Sequence, residues 1–157
     1  AAAFTAVYRT HEGNQPDENA QIYDDAGTYD QFARFAKVYA SLAPYRKKVS
    51  AEAEERGLPV VRPLFLHYPD DETVRELHTQ FLLGREMLVA PVVEKGKLER
   101  DVYLPDDEGW THLWTGDEYE AGRHGIDAPV GEPPVFYRSG ANIEPVLQNL
   151  RDRGVLQ

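Results

Sequence analysis

Leu58-Pro59-Val60-Val61-Arg62-Pro63-Leu64-Phe65-Leu66-His67-Tyr68 is the stretch on which the reading of the fold turns. It is a nearly continuous apolar run, the pattern of a strand buried on both faces as in a parallel sheet. It closes in Pro69-Asp70-Asp71, a turn able to cap a following helix. That helix is expected from about Thr73 to Leu83, with Val74, Leu77 and Phe81 on one face, acidic residues at its start and Gly84 beyond its end.

Upstream, Thr28 to Arg56 is helical in pattern, because Phe32, Phe35, Val38, Tyr39, Leu42, Tyr45, Val49 and Ala53 recur every three or four residues. Thr28 with Gln31 suggests a capping box, Gly57 a stop, and Pro44 a kink or a split into two pieces. Before it, Phe4 to Tyr8 reads as a short buried strand running into the polar loop Arg9-Thr10-His11-Glu12-Gly13-Asn14. Strand, helix, strand, helix is thus the expected order of the first half. Such a unit with no further strands cannot close a barrel or bury both sheet faces, so it calls for more chain. The opening Ala1-Ala2-Ala3-Phe4, without an initiator Met and apolar at once, has the look of a cut chain.

Downstream of Met87 the period changes to two and Gly, Pro and Asp become frequent. Short strands are expected near Met87 to Val93, Asp101 to Leu104, Trp110 to Trp114, Arg123 to Ala128 and Pro134 to Arg138. This half reads as all or part of an antiparallel β-sandwich, with Trp110, His112 and Trp114 on one strand face and Thr111 and Leu113 on the other. The segment from Asn142 to Gly154 places Ile143, Val146, Leu147 and Leu150 on one face of a terminal helix. The division falls near residue 86, giving 1–86 as an incomplete α/β part and 87–157 as an all-β part with a terminal helix.

The net charge of −10 over 157 residues argues against nucleic-acid or anionic-membrane partners, which require basic patches. No cysteine is present, which excludes disulfides and thiolate chemistry and fits a cytoplasmic protein. No apolar run approaches transmembrane length.

Several motifs, in order, carry a family resemblance. Arg9-Thr10-His11-Glu12-Gly13-Asn14, Val61-Arg62-Pro63-Leu64-Phe65, Gln80-Phe81-Leu82-Leu83-Gly84 and Met87-Leu88-Val89-Ala90-Pro91-Val92 are followed by Val102-Tyr103-Leu104-Pro105, Trp114-Thr115-Gly116 and Pro134-Val135-Phe136-Tyr137-Arg138-Ser139-Gly140. Together they resemble glycoside hydrolase family 31. The Arg9–Asn14 loop and the short helical ending are most similar to that family's sulfoquinovosidase branch, whose members are often labelled α-glucosidases. The resemblance implies the last two βα units of a (β/α)8 TIM barrel over 1–86, then the proximal C-terminal β-sandwich and terminal helix over 87–157. It also implies an α-glycosidase that works with retention, acts on an α-glucoside or a sulfoquinovoside, and uses two Asp carboxyls lying before Ala1, so that the chain alone is expected to be inactive.

Under the same resemblance His11 is the substrate-binding residue, its imidazole bonding sugar hydroxyls at the mouth of a barrel strand; the alternative is a satisfied structural histidine. Arg9 and Glu12 are candidates to orient His11 or to neutralise the site's carboxylates, and equally to form a salt bridge within the loop. Arg62, inside an apolar strand, requires a partner if buried, with a carboxylate of the missing barrel as one candidate; a structural role is favoured over a substrate role. Asp24-Asp25, Asp70-Asp71 and Asp106-Asp107 sit in turn or cap contexts, where adjacent carboxylates do not converge on one atom.

His67, His78, His112 and His124 show no metal-ligand spacing, and no metal or other cofactor is expected. The scattered glycines indicate no phosphate loop. The expected partners are a small-molecule glycoside and the remainder of the same enzyme, with a homo-oligomer, including a swapped or repacked dimer, also open. The competing reading is a standalone carbohydrate-binding or assembly β-module that exposes Trp110 and Trp114 as a stacking surface; core packing of both is the plainer alternative.

Overall fold

Residues 26–56 fold as two helices, α1 (Ala26–Ser41) and α2 (Ala43–Arg56), in the computed structural model, which describes every residue of the chain except Glu12, Asp107 and Glu108. Leu42 separates the helices and Pro44 sits in the first turn of α2, where its missing N–H costs nothing, so the proline splits the helical run as its position predicted. Gly57 closes α2 with φ of 70°, a left-handed cap that glycine adopts without penalty. The start of α1 differs from the expected capping box: Asp25 is the N-cap and accepts from the Thr28 N–H at 2.8 Å and from its hydroxyl at 2.6 Å.

The apolar run at 58–68 is not one strand. Val61–Arg62 (β1) alone joins a ladder, and Leu64–Leu66 turns as a 3-10 helix. Pro63 has no N–H to donate, so the ladder stops at Arg62. The helix expected over 73–83 is a single turn, α3 (Glu72–Arg75), capped by Asp71; Phe81–Leu83 is instead strand β2. Apolar residues at i, i+3 and i+4 do not by themselves distinguish a short helix from a short buried strand, and here pairing with β3 (Met87–Val89) decides. Residues 4–8 form no strand either: Ala2–Phe4 is a 3-10 turn packed on α1, followed by a bend at residues 5–6 and backbone with no ladder.

β4 (Glu99–Leu104), β5 (Trp110–His112), β7 (Gly122–Asp127), β8 (Val135–Arg138) and α4 (Glu144–Asp152) fall close to the expected positions, and β6 (Glu118–Tyr119) is a further short strand that the sequence pattern did not announce. One six-stranded sheet has the order β1-β2-β3-β8-β5-β6, and β4 pairs with β7 as a separate ribbon. Every pairing is antiparallel, so the parallel sheet expected of the first half is absent among the described residues. The sheet runs across residue 86 without interruption, with β1 and β2 on one side of it and β3 on the other.

Alternation along the strands divides the core into two layers. Leu82, Leu88, Phe136 and Trp110 face the ribbon and pack with its Val102, Leu104 and Ile126. Leu83, Met87, Val89 and Val135 face the other way and meet Val38, Leu42, Tyr45 and Val49 of α1 and α2 and Val146, Leu147 and Leu150 of α4. The result is helices, sheet and ribbon in three layers: a small sheet-rich domain with a terminal helix.

Trp114 departs from the expected alternation. The chain turns over residues 113–116 directly after β5, which puts Trp114 on the helix side against Phe4, opposite Trp110. No helix among the described residues is long and apolar enough to cross a membrane.

Candidate functional site

The loop at 9–14 is held from behind by a pile of aromatic rings. Tyr8 stacks on Phe32 of α1 with ring centroids 5.3 Å apart and lies tilted over Tyr39 at 5.5 Å. The Tyr39 hydroxyl donates to the Ala6 carbonyl at 2.9 Å, and the Arg46 guanidinium covers the Tyr39 ring at 3.6 Å. These contacts fix residues 6–8 against α1 and α2. Beyond them Arg9, Thr10 and His11 are exposed. The far side of the loop is tied by the Gly13 N–H donating to Asn19 Oδ1 at 3.0 Å. Glu12 lies outside the described residues, as does Asp107.

Arg62 occupies a different place. It is fully buried and donates three ways: Nε to the Pro59 carbonyl at 2.7 Å, one terminal nitrogen to Glu52 Oε2 at 2.6 Å, and the other to His67 Nε2 at 3.0 Å. An arginine can only donate, so Nε2 of His67 accepts and its ring proton sits on Nδ1. The partner carboxylate thus comes from α2 of this chain, where Glu52 also pairs with Arg56 at 2.8 Å.

The electrostatics follow from this geometry. The hydrogen bond from Arg62 is the main cause holding the Glu52 carboxyl below its ordinary range. Burial is the main cause depressing the His67 imidazole, with the charges of Arg62 and Arg85 acting in the same direction. With its donors engaged inside the fold, Arg62 has the geometry of a structural clamp between α2 and the sheet edge. Arg9 and His11 share one loop, and Arg62 is bound elsewhere.

The other histidines are accounted for individually. His112 is buried against Phe136 and Tyr119, its Nδ1 is 3.1 Å from the Thr115 hydroxyl, and burial lowers its pKa. His124 Nε2 lies 2.9 Å from the Glu120 carbonyl, and His78 is exposed. No group of three or more metal-ligating side chains occurs among the described residues.

Trp110 is fully buried and donates to the Pro105 carbonyl at 3.0 Å, so it cannot offer a ring to a sugar. Trp114 is half-buried, donating to Pro133 at 2.6 Å with Arg34 over its ring at 5.4 Å. A stacking surface built from both tryptophans is therefore absent, which removes the main support for a standalone binding module.

Glu52, His67 and Tyr39 were not legible as a set. Glu52 and Arg56 are visible in the sequence as an i, i+4 pair, but their connection to Arg62 depends on how β1 lies against α2. Tyr39 reads as one more apolar-face residue of α1, and nothing in its spacing signals the bond to Ala6.

Comparison with known proteins places this architecture. Residues 57–143 match the model of the glycosyl hydrolase family 31 C-terminal domain. The chain is 47% identical over 150 residues to a sulfoquinovosidase of Escherichia coli strain K12, a match covering 96% of this chain and 22% of that protein. It is 46% identical over 154 residues to a sulfoquinovosidase of Agrobacterium fabrum strain C58, covering 98% of this chain and 23% of the relative. A solved family 31 sulfoquinovosidase from E. rectale, in complex with an aza-sugar inhibitor, superposes with a TM-score of 0.90 at 46% identity over 97% of this chain and 23% of its own. The chain spans less than a quarter of the length of each of these relatives. A match over more than half of its residues, in the same order as the motifs and with the same fold, means that the chain belongs to glycosyl hydrolase family 31.

Proposed function

We propose that this chain is the C-terminal portion of a retaining α-glycosidase that acts on α-sulfoquinovosides in preference to α-glucosides. The observation that carries the reading is the similarity, over almost the whole chain, to enzymes named sulfoquinovosidases. Retention needs two carboxyl groups about 5 to 5.5 Å apart, one attacking the anomeric carbon and the other protonating the leaving oxygen and then activating water. In this reading both are aspartates that precede Ala1 in the full-length enzyme, on the strands of a (β/α)8 barrel.

His11 is the residue of this chain that reaches the sugar. It stands exposed on the loop behind which the aromatic rings pile, and an imidazole nitrogen is able to hydrogen-bond a sugar hydroxyl. Arg9, exposed on the same loop, is the candidate to orient it or to neutralise the site's carboxylates, while Arg62 acts at a distance by holding β1 on α2. A cytoplasmic location accords with the absence of cysteine.

The test is made on the full-length enzyme with para-nitrophenyl α-sulfoquinovoside and para-nitrophenyl α-glucoside. The sulfonated substrate is expected to give a kcat/KM higher by at least about a hundredfold, since a site built for a charged group rejects the analogue lacking it. The first-formed sugar should be the α-anomer. An inverted first product, or turnover of neither glycoside, contradicts the proposal.

A further inference from the structure

We infer that Tyr39 is a positioning residue for His11, holding the sugar-facing loop through its hydroxyl bond to Ala6; the inference rests on the proposed role of His11. The residues between Ala6 and His11 are few, so whatever fixes Ala6 and Tyr8 sets where the loop begins and in which direction it leaves the fold. Three contacts do this from one side. The Tyr39 hydroxyl holds the Ala6 carbonyl at 2.9 Å, the Tyr39 ring supports the Tyr8 ring at 5.5 Å, and the Tyr8 hydroxyl reaches the Phe32 carbonyl at 3.4 Å.

Tyr39 is itself immobilised. It belongs to the last two turns of α1, close to the Leu42 junction, and the Arg46 guanidinium of α2 lies 3.6 Å over its ring. Two helices therefore clamp the side chain whose hydroxyl ties Ala6 to the body of the protein, beside the contact of Tyr8 with Phe32. Residues 5–8 have no ladder partner among the described residues, so backbone pairing does not share the task. Because His11 follows Ala6 by only a few residues, displacement at Ala6 shifts the start of the loop that presents the imidazole.

The experiment is a double-mutant cycle in the full-length enzyme, with kcat/KM on para-nitrophenyl α-sulfoquinovoside and thermal melting as readouts. Tyr39→Phe keeps the ring and its contacts with Tyr8 and Arg46 and removes only the hydroxyl. It is expected to lower kcat/KM about fivefold, the equivalent of one hydrogen bond of about 1 kcal/mol, with little change in melting temperature. In the His11→Ala background the same change should have almost no further effect, since the group being aimed is gone. Tyr39→Ala should lose more than Tyr39→Phe.

An unchanged kcat/KM in Tyr39→Phe, alongside a large loss in His11→Ala, overturns the inference and leaves the sugar contact standing. An equal loss in both backgrounds also overturns it, because that is the signature of a structural effect. If His11→Ala itself retains full activity, the underlying reading of the site fails and this inference with it.

Discussion

Glu52 of α2 lies 2.6 Å from the guanidinium of Arg62, an arginine with no solvent exposure whose other donors are taken by Pro59 and His67. Among the described residues Glu52 is the carboxylate shown paired with Arg62. Glu52→Gln should therefore destabilise the protein by about 1 to 3 kcal/mol, below the usual cost of orphaning a fully buried charge because Glu52 itself is part-exposed. Urea unfolding monitored by circular dichroism measures it. Arg56→Gln, which removes only the exposed partner of Glu52, should cost no more than about 0.5 kcal/mol.

Acid should weaken the same cluster from the histidine side. The folded protein holds His67 neutral, below its ordinary value of 6.5, chiefly by burial and with Arg62 and Arg85 reinforcing the effect, while Glu52 opposes it and Arg56 adds slightly to it. The unfolded chain takes up a proton at the ordinary value. Stability from this group is thus fully present above 6.5 and is lost as pH falls through the lowered folded value. His112, also depressed by burial, acts with the same sign, and Glu52 adds a second loss below its ordinary 4.5. The urea midpoint should fall between about pH 7 and pH 5, and His67→Gln, whose amide oxygen can still accept from Arg62, should flatten that slope.

Gly84 marks a close approach of the hairpin to α2. Its φ is +60°, and a Cβ there would lie 2.5 Å from the Tyr45 hydroxyl and 2.6 Å from a Val49 methyl. That hydroxyl donates to the Leu83 carbonyl at 2.7 Å and accepts from the Glu86 N–H at 3.0 Å, so it cannot yield without breaking the turn. Gly84→Ala should cost about 2 to 4 kcal/mol through left-handed strain and steric overlap together. A melting temperature equal to that of the wild type would show that the hairpin can shift away from α2.

The ribbon carries a repulsion that can be relieved. Glu99 on β4 and Asp127 on β7 are directly opposed in register, both exposed and both acidic. Like charges at such positions destabilise a strand pair, so Asp127→Lys should raise stability by about 0.2 to 1 kcal/mol, an effect that added salt diminishes.

Local chemistry was legible wherever one residue type decides the backbone. Pro44 announced the break between α1 and α2, Gly57 the end of α2, and the alternation around β4, β5, β7 and β8 the ribbon and the second half of the sheet. What the sequence concealed was partner choice. Val60 to Tyr68 is apolar enough for a long buried strand, yet Pro63 limits β1 to two residues, and Leu82 and Leu83 serve a hairpin as readily as a helix. For the site, His11 stood out through the motif around it, whereas Glu52 as the partner of Arg62 and Tyr39 as the anchor of Ala6 are tertiary relationships with no signature in spacing.

The most direct measurement is kcat/KM of the full-length enzyme carrying His11→Ala, on para-nitrophenyl α-sulfoquinovoside, beside its melting temperature. Loss of hydrogen bonds that tighten in the transition state should lower kcat/KM about a hundredfold, while an exposed loop position should leave melting unchanged. A kcat/KM equal to that of the wild type would contradict the account, because the loop that these aromatic rings hold in place would then not be facing the sugar.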